Sequence, residues 1–259
     1  MRHASARERP AAGQRAHVPD GVHATGDASP GGGAQALGGT APSATSRRRR
    51  GSDWVLALGL AGAYGAFAAT FRGPRDRFWQ RMTATGAALG TLALVGDPEL
   101  RRTRIRARDV ALGLASAAGL YRVFRVGDRA ARRVMPKGDE EIDEIYALRS
   151  LRPRGEIAAR LGLVIGPAEE LFWRGLVQRG MQRRLGRVRG AVMAAGAYSG
   201  AHVVTGNATL VGAAGTAGAY WSALAAAGMP MGALVVSHVA WDVWIFLIQP
   251  TRFVSDPAI

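Results

Sequence analysis

The sequence predicts an all-α protein: a polytopic bundle of about seven transmembrane helices, preceded by a disordered N-terminal tail. Three observations lead to this prediction. Apolar stretches follow one another from Trp54 onward, a polar segment precedes them, and only a few acids and histidines lie among the later stretches. The chain has 259 residues, enough for one or two ordinary domains. Its mean hydropathy is near zero, which is the average of two unlike regions.

The first region, residues 1–51, is rich in Gly, Ala, Pro, Ser and Arg and has no long apolar run. Such a segment buries too little apolar surface to offset the entropy lost on ordering it, so we expect a disordered tail. It also lacks the apolar stretch of a signal peptide. A mis-assigned start codon is the alternative explanation for this segment. Residues 52–259 are predicted to form the membrane-embedded domain.

Seven apolar stretches follow the tail. A helix that crosses the hydrocarbon core needs about 20 mostly apolar residues. Residues 208–227 and 230–249 meet this length, whereas 82–96 and 109–124 are short and fit buried helices of a soluble protein as well. Their number still favours a membrane protein, because a soluble domain of this size shows more amphipathic patterning. The stretches are 54–71, 82–96, 109–124, 157–178, 190–205, 208–227 and 230–249.

The arginines give a first indication of orientation. Arg47 to Arg50 directly precede the first apolar stretch, which favours a cytoplasmic N-terminus. The loop 72–81 also holds four arginines and falls on the opposite side, so it argues against this orientation. The long segment 125–156 is nearly balanced in charge, and its DEEIDEIY run (139–146) is predicted to form a surface helix.

Small residues suggest how the helices pack. Gly86 and Gly90, and also Gly196 and Gly200, have the GxxxG spacing that lets membrane helices approach closely. General richness in Ala and Gly explains the same spacing equally well, because the chain has 35 glycines.

Composition excludes several classes of function. The net charge is +15, yet nearly all the basic residues are scattered arginines and Lys137 is the only lysine. A nucleic-acid surface needs basic residues clustered on one face, so we expect no nucleic-acid partner. The arginine-rich composition instead suggests a bacterium, and hence its plasma membrane. The absence of cysteine excludes disulfides, thiolate catalysis and Cys-ligated zinc.

The candidate functional residues are the ionisable groups that remain inside the apolar half. An ionised side chain at the bilayer centre costs about 2.5–3.5 kcal/mol, so such a residue indicates a functional site by default. Between residues 161 and 249 every acid and every histidine falls in one of three short clusters. These residues are Glu169, Glu170, His202, His238 and Asp242.

The first cluster lies in GPAEELFWRG, where the sequence predicts that Gly166-Pro167 breaks or starts a helix. Glu170 and Arg174 are then four residues apart on one face, with the acid N-terminal as this pairing prefers. Glu169 is turned about 100° away and has no local partner. The spacing therefore predicts that Glu170 and Arg174 neutralise each other while Glu169 is free to act. The alternative is an interfacial cluster in which the arginine reaches water.

The second and third clusters each place a polar pair one helical turn apart. They are Tyr198-x-x-x-His202 and His238-x-x-x-Asp242. Asp242 is expected to orient His238 by accepting a hydrogen bond from its ring. A single membrane histidine is more often an interhelical hydrogen bond than a site. Polar clusters on three separate predicted helices favour a site.

Together the three clusters resemble the CPBP family of intramembrane proteases, which includes the CAAX proteases and bacteriocin-processing enzymes. The family pattern is EExxxR, then FxxxH, then HxxxN or HxxxD, on separate membrane helices. The resemblance covers roughly residues 54–250, with the motifs within 166–245. The matching residues are Glu169, Glu170, Arg174, His202, His238 and Asp242.

Two positions depart from the usual pattern. Tyr198 stands where the family usually has Phe, and Asp242 stands where many members have Asn. An Asn amide can donate a hydrogen bond to a developing oxyanion, whereas an ionised Asp cannot. An orienting or metal-binding role therefore suits Asp242 better than an oxyanion role.

The resemblance implies an intramembrane endopeptidase that cleaves a membrane-associated peptide or protein. Glu169 would be the general base that activates a water. His202 would hold the water or the oxyanion, and His238 with Asp242 would complete the site. A covalent nucleophile has little support, because the chain has no cysteine and no GxSxG motif.

Two versions of this chemistry follow from the same residues. If a metal such as zinc is bound, its ligands would come from Glu169, His202, His238 and Asp242. The absence of an HExxH motif slightly favours hydrolysis without a metal. The expected partners are the lipid bilayer and a membrane-associated substrate, and a prenylated CAAX substrate is not expected in a bacterium.

Two other classes of function stay open at this stage. In a proton-coupled transporter the same acids and histidines would relay protons, but that class predicts internal repeats and the sequence shows no convincing one. The other is a non-catalytic membrane scaffold or immunity protein on the same fold, which the Asp242 departure leaves open.

Overall fold

The computed structural model describes residues 44–134 and 137–249, and every regular element in these two ranges is helical. The predicted all-α class is therefore confirmed. The α-helices are α1 Ala44–Phe71, α2 Phe78–Gly96, α3 Ala107–Val134, α4 Gly138–Tyr146, α5 Arg154–Arg160, α6 Gly166–Glu170, α7 Arg179–Leu185, α8 Arg187–His202, α9 Ala208–Ala226 and α10 Met231–Val243.

Shorter helical turns connect or extend these helices. The 3₁₀ turns are Arg75–Arg77, Pro98–Arg102, Ala147–Leu151 and Val203–Thr205, and the π-helical segments are Leu161–Ile165, Leu171–Gln178 and Trp244–Ile248. The predicted tail lies mostly outside the described residues. Only its last part, from residue 44, belongs to the described chain, where it forms the beginning of α1.

Three helical segments among the described residues are long and apolar enough to cross a membrane, judged by length and composition. They are Trp54–Phe71, Ala107–Gly127 and Met231–Ile248, and they correspond to the predicted stretches 54–71, 109–124 and 230–249. The protein is thus a membrane protein with several helices, but the predicted count of seven spans is not confirmed. The stretch 208–227 forms the 19-residue helix α9 but is not among these three segments.

The outer surfaces of these three segments carry many large apolar side chains. A water-soluble protein rarely exposes so many large apolar side chains on one set of helices, so this surface fits contact with lipid. The exposed side chains on the three segments include Trp54, Leu58, Val110, Leu112, Leu114, Val123, Val126, Trp244 and Ile248.

The helix that carries the two adjacent glutamates is longer than the sequence suggested. Gly166-Pro167 neither breaks nor starts it, because the chain stays helical from α5 through α6 to α7. Pro167 has no N–H to donate to the carbonyl four residues before it. The chain adapts with a π-helical turn, in which the Gly166 N–H bonds to the carbonyl of Leu161. The glutamates therefore lie between two π-helical segments.

Gly166 allows α10 to pack directly against α6. A Cβ atom on this glycine would lie 2.9 Å from Cγ2 of Val239 and 3.0 Å from the carbonyl oxygen of Leu161. Val239 is the neighbour of His238 in the chain. The missing side chain at Gly166 thus brings the third predicted motif next to the first.

The predicted GxxxG pairs have different outcomes. On α2, a Cβ atom on Gly90 would lie 2.9 Å from Cβ of Ala168, and Gly86 also meets the backbone of this region. On α8, a Cβ on Gly200 would meet a side chain of α1, whereas Gly196 has nothing within 4 Å. The first pair is therefore a real helix contact, and it lies directly behind the glutamates.

Helix α4, the predicted surface helix, is attached to the N-terminal end of α9 by Glu141. Its carboxylate accepts hydrogen bonds from the Thr209 N–H at 2.8 Å, the Thr209 hydroxyl at 2.5 Å and the Ala208 N–H at 3.3 Å. The side chain of Asn207 donates in turn to the Glu141 carbonyl at 2.8 Å. The pKa of Glu141 lies below its ordinary value. The hydrogen bond from the Thr209 hydroxyl is the largest cause, and those from the two backbone N–H groups add to it.

Replacing Gly90 by alanine is predicted to lower the stability of the protein. The added methyl group would overlap with Ala168 on the helix of the glutamates, and overpacking typically costs about 1–3 kcal/mol. Thermal unfolding in detergent measures the effect. Gly65→Ala is the matched control, because a Cβ there meets nothing within 4 Å. Equal stability of the two variants would contradict the proposed α2–α6 contact.

We predict that the attachment of α4 depends on the charge of Glu141. Because docking lowers the pKa of Glu141, the ionised carboxylate favours the docked helix above pH 4.5. This contribution is lost as the pH falls through the lowered pKa. At neutral pH, Glu141→Gln should raise amide hydrogen exchange in residues 138–146. Glu140→Gln, at the exposed neighbouring acid, should not; equal exchange in both variants would contradict the role of Glu141.

Candidate active site

Three parts of the fold bring the six predicted site residues into one connected cluster. The EExxxR residues lie on α6 and the π-helical segment that continues it. His202 lies on α8, and His238 and Asp242 lie on α10. Five of the six are buried, and Asp242 is partly exposed. The cluster comprises Glu169, Glu170, Arg174, His202, His238 and Asp242, joined through contacts of Tyr198.

Glu170 is fully buried and is held from two sides. Its Oε1 accepts a hydrogen bond from Nη1 of Arg174 at 2.9 Å and one from Nδ1 of His238 at 2.8 Å. The predicted pair between Glu170 and Arg174 is confirmed. The interfacial alternative is wrong, because the side chains of the pair are 0% and 1% exposed. Removing one partner of such a buried pair leaves an uncompensated charge.

Arg174 also connects the cluster to α8 and α9. Its Nη2 donates to the carbonyl of Gly218 at 3.3 Å. The guanidinium carbon lies 4.8 Å from the ring centre of Tyr198 and 5.3 Å from that of Trp221. These distances allow cation–π attraction in a desolvated setting. Arg174, which lies on the helix that follows α6, therefore contacts both α8 and α9 through its guanidinium group.

His238 faces three carboxylates. Its Nδ1 is bonded to Glu170, while its Nε2 lies 3.5 Å from Oδ2 of Asp242 and 3.9 Å from Oε2 of Glu169. The sequence predicted that Asp242 orients this ring. The structure corrects this, because Glu170 makes the short hydrogen bond and Asp242 a looser contact at the other nitrogen. The close packing at Gly166 places the ring within reach of Glu170.

Trp221 is a site residue that the sequence did not reveal. Its ring stacks on His238 with centroids 4.1 Å apart and planes 19° from parallel. The indole N–H donates to Oγ of Ser237 at 3.0 Å, and this hydroxyl bonds to Oγ of Ser116 at 2.9 Å. The stack fixes the plane of the histidine ring. The only sequence signal is one tryptophan within an Ala/Gly-rich stretch, which has no motif partner.

Glu169 points in a different direction from its neighbour. It has no partner on its own helix, as predicted. Its Oε2 accepts a hydrogen bond from the hydroxyl of Tyr198 on α8 at 3.1 Å. Within the described part of the chain, its other oxygen has no hydrogen-bond partner.

His202 has a ring orientation that determines what it can do. Its Nδ1 lies 2.9 Å from the backbone carbonyl oxygen of Tyr198. A carbonyl only accepts, so Nδ1 carries the proton and donates it. In the neutral ring Nε2 is then an acceptor. Phe67 packs its ring edge-on against this histidine at 5.1 Å.

A cavity of about 490 Å³ opens beside the cluster, in the size range typical of ligand sites. Glu169, His202, His238 and Asp242 line it, but Glu170 and Arg174 do not. Helix α4 closes one side with Glu141 and its apolar face. The remaining wall is largely apolar and includes Phe71, Phe78, Trp79, Met82, Trp221 and Trp241.

The predicted zinc ligands do not form a metal site as they are placed. No group of three or more His, Asp or Glu side chains in residues 44–134 and 137–249 is arranged to hold an ion.

Comparison with known proteins gives one match. Residues 157–244 match the family model described as Rce1-like, the type II CAAX prenyl endopeptidases. No curated protein and no solved structure matches the chain. The matched segment contains all six predicted site residues in the expected order. Over this segment the chain is similar to the CAAX proteases, which supports the resemblance to the CPBP family that the three motifs indicated.

Proposed function

We propose that the protein is an intramembrane endopeptidase that hydrolyses a peptide bond with a water activated by Glu169. One observation carries this proposal. Of the two adjacent glutamates, only Glu169 lines the cavity, whereas Glu170 is buried behind it and bonded to Arg174 and His238. The match to the Rce1-like family model supports an endopeptidase in general.

Glu169 has the geometry of a general base. One carboxylate oxygen accepts from Tyr198, which leaves the other for a water in the cavity. A general base must lie within hydrogen-bond reach of the proton that it removes. Glu169 takes this proton as the water oxygen attacks the scissile carbonyl carbon. It then returns the proton to the leaving amine as the C–N bond breaks.

His202 is proposed to orient the same water. Its Nε2 accepts a hydrogen bond while Nδ1 donates to the Tyr198 carbonyl. A water between Nε2 and the free oxygen of Glu169 would donate one O–H to each. Its lone pair then points away from both side chains. In this arrangement His202 holds the water and Glu169 accepts the proton.

His238 is proposed to stabilise the oxyanion. It is a potential donor that lines the cavity, and Glu170 fixes its ring through Nδ1. Three carboxylates surround the ring, so His238 is proposed to be an imidazolium that carries a proton on Nε2 as well. Its Nε2 makes only a long contact to Asp242, at 3.5 Å, so this proton remains available to a substrate oxygen. An ionised Asp242 cannot donate itself. A donor placed at the developing charge is commonly worth 10²–10³-fold in rate, or about 2.7–4 kcal/mol.

The proposed substrate is a membrane-associated peptide or small membrane protein. The matched family is named for a CAAX prenyl endopeptidase, and the largely apolar cavity wall suits a membrane-derived segment. A prenylated CAAX substrate is not part of the proposal. The plasma membrane of a bacterium stays the proposed location, on the strength of the arginine-rich composition alone.

A survey of new peptide N-termini tests this function. Membranes from cells that express wild type or Glu169→Gln are compared at matched protein levels. We predict termini that occur only with the wild type, because loss of a general base lowers the rate by about 10²–10⁴-fold. Identical profiles, with both proteins folded and abundant, would contradict proteolysis and favour transport or a scaffold.

The two glutamates should also differ in their effect on stability. Glu170→Gln removes the charge that compensates buried Arg174, and breaking such a pair costs about 3–5 kcal/mol. Glu169→Gln removes an acceptor at the cavity and should cost about 1 kcal/mol or less. Thermal unfolding in detergent compares the two variants. The reverse ranking would contradict the assignment of Glu170 as the buried partner.

A further inference from the structure

We infer that Tyr198 is a positioning residue that orients the carboxylate of Glu169 and links it to His202. The inference rests on the proposed role of Glu169 as the base. It gives a function to the position where the CPBP pattern usually has Phe. The hydroxyl that distinguishes Tyr198 from Phe makes the contact to Glu169.

Tyr198 contacts both Glu169 and His202, the two residues proposed to bind the water. Its hydroxyl donates to Oε2 of Glu169 at 3.1 Å, and its backbone carbonyl accepts from Nδ1 of His202 at 2.9 Å. One residue on α8 therefore sets the position of a side chain on α6 relative to one on its own helix. Glu169 and His202 are therefore connected through the side chain and the backbone carbonyl of Tyr198.

The ring of Tyr198 is held so that its hydroxyl cannot move away. It is 5% exposed. The guanidinium of Arg174 covers one face, and Trp173 contacts the ring at 5.3 Å with planes at 82°. On α9, a Cβ atom on Gly218 would lie only 2.7 Å from Cδ1 of this ring. The surrounding packing therefore fixes the donor before any substrate is bound.

The hydroxyl competes with His238 for the carboxylate of Glu169. The terminal torsion of a glutamate is broad, so a carboxylate without a fixed partner can rotate. His238 is a basic side chain only 3.9 Å from Oε2. Turned toward it, Glu169 would form an ion pair and lose its contact with water. The bond from Tyr198 holds the carboxylate in the orientation that leaves one oxygen facing the cavity.

Tyr198→Phe tests the role of the hydroxyl, because it keeps the ring and its packing. A hydrogen bond to a charged group is worth about 1.5–3 kcal/mol, so kcat should fall roughly 10- to 100-fold. KM should stay within about twofold, because the substitution keeps the ring that lines the cavity. The substrate is a peptide spanning a cleavage site that wild type generates in membranes.

Tyr64→Phe is the matched control. Its hydroxyl also makes one hydrogen bond, at 3.0 Å, but to the backbone carbonyl of Ala197, the residue before Tyr198. Only Tyr198→Phe should lower kcat, while Tyr64→Phe should leave kcat unchanged. An unchanged kcat in Tyr198→Phe, or an equal loss of kcat in both variants, would overturn the positioning role.

An infrared measurement separates this inference from the proposed function. The carboxylate stretching band of Glu169 should differ between wild type and Tyr198→Phe. The difference should vanish when both carry Glu169→Gln. Absence of the band shift overturns the inference whatever the activity. If the band shifts but the wild type cleaves no peptide, the proposed function is overturned, and the positioning role is overturned with it. The hydrogen bond between Tyr198 and Glu169 would still be established.

Discussion

The buried contact of Glu170 with Arg174 and His238 is the interaction on which the rest of the site depends. A charge removed from both water and lipid must be neutralised where it lies, and here one carboxylate oxygen receives both donors. Arg174 carries the contact on to α8 and α9, while His238 brings in α10. The same contact that stabilises the helix packing also fixes the histidine ring that faces the cavity.

Two adjacent glutamates can have opposite roles because consecutive residues point about 100° apart on a helix. Glu170 faces the interior between helices, and Glu169 faces α8 and the cavity. Local backbone features make this division possible. Gly166 has no side chain to keep α10 away, and the π-helical turn before the pair accommodates Pro167 without ending the helix.

The sequence predicted the parts of this arrangement that depend on local spacing. The helical class and the Glu170–Arg174 pair follow from periodicity, and the approach of the three motifs followed from their resemblance to a known pattern. The contacts of Tyr198 and Trp221 were not predictable, because each joins residues from different helices that share no motif. The role given to Asp242 was overestimated for the same reason: its nearest histidine is held more tightly by Glu170. The predicted count of seven spans is not confirmed, because only three segments of the described residues are both long enough and apolar enough to cross a membrane.

Chemical rescue tests the central claim, that Glu169 acts in the cavity while Glu170 supports the site from behind. Glu169→Ala and Glu170→Ala are assayed on a peptide that the wild type cleaves, with increasing formate. A small carboxylate can enter the cavity and replace the missing base, so formate should restore cleavage by Glu169→Ala. It should not restore Glu170→Ala, whose lost group is fully buried. Rescue of Glu170→Ala alone would contradict the division of roles between the two glutamates.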